Sequence, residues 1–80
     1  MNDSEIERHI ETLVAEEHEL YERADDKPLT DSDRERLEQV NVQLDRYYDL
    51  LRQRRARREF GQSPEDTQLR SGKTVEEYLQ

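Results

Sequence analysis

An all-α fold, an antiparallel helical hairpin with a short C-terminal tail, is what this sequence predicts. Three observations carry it. Apolar residues recur at helical spacing in two separate stretches, and a short proline-containing break parts them. Both glycines, Gly61 and Gly72, and the second proline, Pro64, fall after residue 60. The composition sets the scale: 80 residues, 30% hydrophobic and 42% charged, with no cysteine. One small domain fits that length. A single core of this size rarely supplies more than about 3–5 kcal/mol, and no disulfide adds to it.

The first helix is predicted over about residues 4–25. Ser4-x-x-Glu7 is a capping-box pattern, and Glu5 and Glu7 sit where the helix dipole favours acids. Ile6, Ile10, Leu13, Leu20 and Ala24 follow on one face, interrupted at Glu17 and broadened by Val14 and Tyr21. Asp25-Asp26-Lys27-Pro28 stops it, because Pro28 disfavours helical geometry at Lys27.

The second helix is predicted over about residues 31–60, with Thr30 and Ser32 as competing caps. Its apolar stripe is Leu37, Val40, Leu44, Tyr47, Tyr48 and Leu51, and no breaker intervenes until Gly61, a natural C′ residue. The short connection between the helices makes them antiparallel neighbours. Residues 1–61 thus form the hairpin and 62–80 a polar tail. Within the tail, Thr74-x-x-Glu77 precedes Val75, Tyr78 and Leu79 and predicts a terminal helical turn at 75–80, too short to be stable undocked.

Two antiparallel stripes packed on each other leave their outer edges wet, and Val42 and Leu50, off the main stripe, add apolar surface to cover. The expected solution is a dimeric four-helix bundle built by two-fold symmetry, a second protein supplying the missing helices being the runner-up. Glu17 is expected at the bundle seam, hydrogen-bonded to a tyrosine, Asn41 or an arginine, since an unpaired carboxylate on an apolar face is costly.

The stretches Leu13-Val14-Ala15-Glu16-Glu17-His18-Glu19-Leu20, Gln43-Leu44-Asp45, Asp49-Leu50-Leu51-Arg52-Gln53-Arg54-Arg55-Ala56-Arg57-Arg58 and Val75-Glu76-Glu77-Tyr78-Leu79-Gln80 resemble a family of short bacterial proteins, the domain of unknown function numbered 2630. The resemblance covers nearly the whole chain. It implies one compact unit that includes the tail, and no activity, substrate or catalytic residue. Family members often carry Cys-Trp where this chain has Tyr47-Tyr48, so no thiol-dependent role carries over.

The net charge of −8 is unevenly spread. Residues 1–51 hold 6 basic and 16 acidic side chains, while 52–58 hold Arg52, Arg54, Arg55, Arg57 and Arg58 and no acid. Arg54, Arg55 and Arg58 prolong the apolar stripe of the second helix. The reading preferred is neutralisation within the chain or across the dimer, by Asp3, Glu5 or Glu7, or by Glu76, Glu77 and the C-terminal carboxylate of a folded-back tail, with the acids of a partner protein as the next reading. That tail would lay Tyr78 and Leu79 on the arginine stems. An anion- or nucleic-acid-binding end is the alternative, weakened by the acidic balance and by the lack of interleaved aromatics.

The remaining chemistry is sparse. His9 and His18 pair at i,i+4 with Glu5 and Glu22 and read as surface residues. Ile6 and Ala15 stand where a bundle di-iron site would need glutamates three before the histidines, so no metal is expected. There is no nucleophile elbow, phosphate loop or H-E-x-x-H, and no cofactor or catalytic residue is assigned. No apolar run reaches the roughly 18 residues of a membrane span. The acidic opening Met1-Asn2-Asp3-Ser4-Glu5 is unlike a signal peptide, and the expected location is the cytoplasm. The function expected is a non-catalytic, self-associating interaction module. Its candidate residues are the five arginines, Glu17, Tyr47, Tyr48 and Tyr78.

Overall fold

Helix α1 runs Asp3–Asp26 and α2 runs Asp31–Glu59; a 3-10 turn at Pro64–Asp66 and a third helix, α3, at Gly72–Leu79 follow. The computed structural model describes residues 1–79, Leu79 by its backbone alone, and no strand occurs among the described residues. The Leu79 side chain and the C-terminal carboxylate of Gln80, both expected near the arginines, lie outside what is described.

Local chemistry sets each boundary. The Asn2 side chain accepts from the Glu5 N–H at 2.8 Å, and Glu5 Oε1 accepts from the Asn2 N–H at 3.2 Å. The capping box is therefore Asn2-x-x-Glu5, two residues upstream of the expected Ser4 box. Asn caps as well as Ser, and the earlier start places Asp3 where α2 arginines reach it. Thr30 Oγ1 accepts from the Asp33 N–H at 3.0 Å and caps α2. At its far end the Gln62 N–H reaches Arg57 O at 2.7 Å and the Gly61 N–H reaches Arg58 O at 3.2 Å. That is a Schellman closure, and it needs the positive φ of 69° that Gly61 supplies.

The two long helices run antiparallel. Arg23 meets Asp33 at one end and Arg58 meets Asp3 at the other, with Arg36 gripping Glu16 between them. Ile6 and Leu20 of α1 are buried with Val40 and Leu44 of α2.

The tail is the main departure from expectation. Leu50 is buried and Val42 half-buried, and the chain's own tail reaches that flank of α2. Past the 3-10 turn the chain runs back along α2. Gln53 Nε2 donates to Gln68 O at 2.8 Å and Arg46 Nε to Arg70 O at 2.8 Å. Helix α3 starts at Gly72, earlier than the expected 75–80 turn, with the Ser71 hydroxyl accepting from the Thr74 N–H at 3.1 Å. Gly72 is needed there, because a Cβ would lie 2.7 Å from Val42 Cγ1. Val75, 1% exposed, completes the core. The result is a slab of about 50 × 25 × 14 Å, little thicker than one helix with its side chains.

Candidate functional site

Within the arginine segment, α2 geometry sends neighbouring residues to different surroundings. Arg54 points inward: its side chain is 5% exposed. Nε donates to Asp3 Oδ1 at 2.5 Å, Nη1 to Pro64 O at 3.2 Å and Nη2 to Glu65 Oε1 at 3.3 Å. Arg58 Nη2 donates to Asp3 Oδ2 at 2.8 Å. The planar guanidinium suits this task, presenting several donors in fixed directions while its stem fills apolar space. Hydrogen bonds from Arg54 and then Arg58 hold the Asp3 carboxyl below its ordinary range. Arg57 donates to Gln62 Oε1 at 3.3 Å beside the helix end.

Of the acids expected to meet the block, Asp3 does so. Glu65 takes the place foreseen for Glu76 and Glu77, because the tail carries α3 past the arginines to the middle of α2. Tyr78 is accordingly 70% exposed instead of lying on arginine stems. Glu76 faces Asp45. The neighbouring Asp45 carboxylate, followed by burial, pushes the Glu76 carboxyl above its usual value, and its Oε1 is shut from solvent without a hydrogen-bond partner among the described residues.

A second polar cluster lies outside the residues that the sequence singles out. Asp49, only 4% exposed, accepts from Gln53 Nε2 at 3.0 Å and faces Arg70 Nε at 3.6 Å. The available signal was the off-stripe set Val42, Arg46, Asp49, Leu50 and Gln53, which marks a second covered flank on α2 at helical spacing.

Two arginines remain. Arg52 and Arg55 are exposed, and neither forms an ion pair among the described residues. They share a flank of α2 with Asn41 and Tyr48, the latter 42% exposed. In an antiparallel hairpin that flank lies on the same side as the α1 edge formed by Ile10, Val14, Glu17 and Tyr21. A shallow groove follows this edge, where Val14 is 41% and Tyr21 50% exposed. Glu17 lines the groove half-buried. Tyr47 belongs to the other side, stacked on His9 with centroids 5.0 Å apart and planes within 6°.

So α2 is covered by α1 on one flank and by the tail on another, and its flank of Asn41, Tyr48, Arg52 and Arg55 is open together with the Val14–Tyr21 edge of α1. No cluster of three or more His, Asp or Glu that could hold a metal occurs among the described residues. No described helix is long and apolar enough to cross a membrane.

These features define a small helical hairpin with a docked tail. The chain belongs to the family described as protein of unknown function (DUF2630), whose model matches residues 2–80. It is 39% identical over 77 residues to uncharacterized proteins of Mycobacterium bovis and Mycobacterium tuberculosis, a match covering 95% of this chain and 88% of each relative. No solved structure matches it significantly.

Proposed function

We propose that this chain is a non-catalytic interaction module of the reducing cytoplasm that pairs with a second copy of itself through the open side of the hairpin. One observation carries the reading: the tail covers one side of α2, while Val14, Tyr21 and Tyr48 stay 41%, 50% and 42% exposed on the other. In a slab this thin, apolar side chains on an uncovered side have no neighbour within the chain. A second hairpin laid on that side completes a four-helix arrangement, the usual way for such stripes to be buried. The cysteine-free composition suits a reducing compartment.

Sedimentation equilibrium at micromolar concentration tests this. The wild type should be a dimer. Val14→Asp combined with Tyr48→Asp should yield a monomer that keeps its circular-dichroism helicity, because both positions lie outside the intrachain core. A wild type that stays monomeric through the micromolar range defeats the proposal.

A further inference from the structure

The uncovered flank of α2 carries a pattern of which the rest of the chain uses only the border, where Asp45 also meets Glu76 of α3. Arg34, Glu38, Asn41, Tyr48, Arg52, Arg55 and Glu59 are exposed, with Asp45 half-buried among them. Glu38, Arg52, Arg55 and Glu59 form no ion pair among the described residues. Arg34 meets only Asp31, whose side chain is fully exposed, so that contact is cheaply exchanged. At 100° per residue these positions fall on one broad stripe.

Resting on the self-association proposed above, we infer that this stripe is its own partner: α2 packs antiparallel on α2 of the second copy, about a two-fold axis between Arg46 and Tyr47. In that register Arg34 faces Glu59 of the second copy, and Glu38 faces Arg55 of the second copy. Asn41 faces Arg52 of the second copy, and Asp45 faces Tyr48 of the second copy, a phenol donor for a carboxylate. Two-fold symmetry repeats each pairing.

At either end of the interface four charges alternate in sign. Arg34 and Glu38 neighbour each other at i,i+4 on one helix, as Arg55 and Glu59 do on the other. A network of this kind is worth more than isolated surface pairs.

Neighbouring registers keep one of these attractions, Glu38 or Asp45 against Arg52 of the second copy, but set it against like charges. A one-turn shift in one direction sets Asp45 against Asp45 of the second copy and brings Arg34 beside Arg55 of the second copy. A one-turn shift in the other direction sets Glu38 against Glu59 of the second copy. Like charges brought together in this way oppose the wrong alignment. The axis also places Tyr48 near the centre of the contact, where a half-exposed aromatic is best used.

Charge reversal in the full chain, read by sedimentation equilibrium, tests the pairing. Arg55→Glu should weaken dimerisation about tenfold or more, since at both ends of the interface it sets an acid against Glu38 of the second copy. Adding Glu38→Arg to it should recover most of the loss. The chain has no native cysteine, so Asn41→Cys with Arg52→Cys should give a disulfide-linked dimer on mild oxidation. Within one helix those positions are about 16 Å apart, beyond the reach of an intrachain bridge.

A wild-type dimer that Arg55→Glu leaves unchanged overturns this interface while self-association stands. Loss without recovery in the double variant, together with no crosslink, overturns the register. A monomeric wild type removes the underlying reading as well.

Discussion

Arg54 ties two other stretches of chain to α2, the start of α1 through Asp3 and the 3-10 turn through Pro64 O and Glu65. Lysine has the charge and the stem but no fork, and cannot serve three acceptors in different directions. Arg54→Lys should therefore cost about 1–3 kcal/mol, a drop of roughly 4–8 °C per kcal/mol in the midpoint of thermal unfolding. Two of the three acceptors are partly exposed carboxylates, which keeps the loss below that of a wholly buried pair. An unchanged midpoint would show the junction to be incidental.

Glu76 gives a second prediction, of opposite pH sense from Asp3. The Glu76 carboxyl is raised in the docked state, so its contribution is complete below the ordinary carboxylate value of 4.5 and is lost as pH rises through the raised value. Asp3 is lowered, so its contribution holds above 3.8 and fades only as pH falls through the lowered value. Hydrogen exchange should accordingly find the α3 amides better protected at pH 5 than at pH 7.5. Glu76→Gln should flatten that difference, since an amide keeps a donor for Asp45 at both values.

Among the elements, α3 is the one whose existence depends on what it lies against. Eight residues do not hold a helix in water, and this helix is positioned by the close approach of Gly72 to Val42. Alanine would ordinarily strengthen a helix by about 1 kcal/mol over glycine. Here its Cβ would sit 2.7 Å from Val42 Cγ1, and the clash should win. Gly72→Ala is expected to lower exchange protection across α3 and the strap, the stretch 67–71 that runs back along α2, and Val42→Ala in the same chain should restore it. A rise in protection in Gly72→Ala would show that Val42 leaves room for a Cβ at this position.

The same element shows where sequence reasoning ran out. The long helices were legible because their periodicity and caps are local: Ile6 to Leu20, Val40 and Leu44, the proline at 28, the glycine at 61. The first cap was misplaced because Asn2-x-x-Glu5 and Ser4-x-x-Glu7 compete locally, and the choice favours the start that brings Asp3 to Arg54 and Arg58. The path of the tail was not legible. It hangs on Arg46 and Gln53 meeting backbone carbonyls and on a missing Cβ at Gly72, and none of these has a side-chain signature in the tail. For the candidate site, the arginines stood out by composition. Their division into inward Arg54 and outward Arg52 and Arg55 depends on which flank the tail takes.

The whole molecule is a slab with unequal sides, and its proposed pairing has a thermodynamic signature. Anything that binds the folded form alone raises its apparent stability by mass action. The thermal midpoint should therefore climb as protein concentration is raised from low to high micromolar, and climb less in about 1 M salt, where the charge pairs are screened. A midpoint independent of concentration at both salt levels would leave the open side without a second copy.

The way α2 holds the strap bears on how a sequence of this kind drifts. Arg46, Gln53 and Arg54 take hold of the carbonyls of Arg70, Gln68 and Pro64, atoms that every amino acid carries. The grip is thus blind to side-chain identity on the strap and strict about it on the helix. Mutations at 68 should pass with little penalty, while those at 46, 53 and 54 let go of the tail; Arg70 is the exception, because its own side chain faces the buried Asp49.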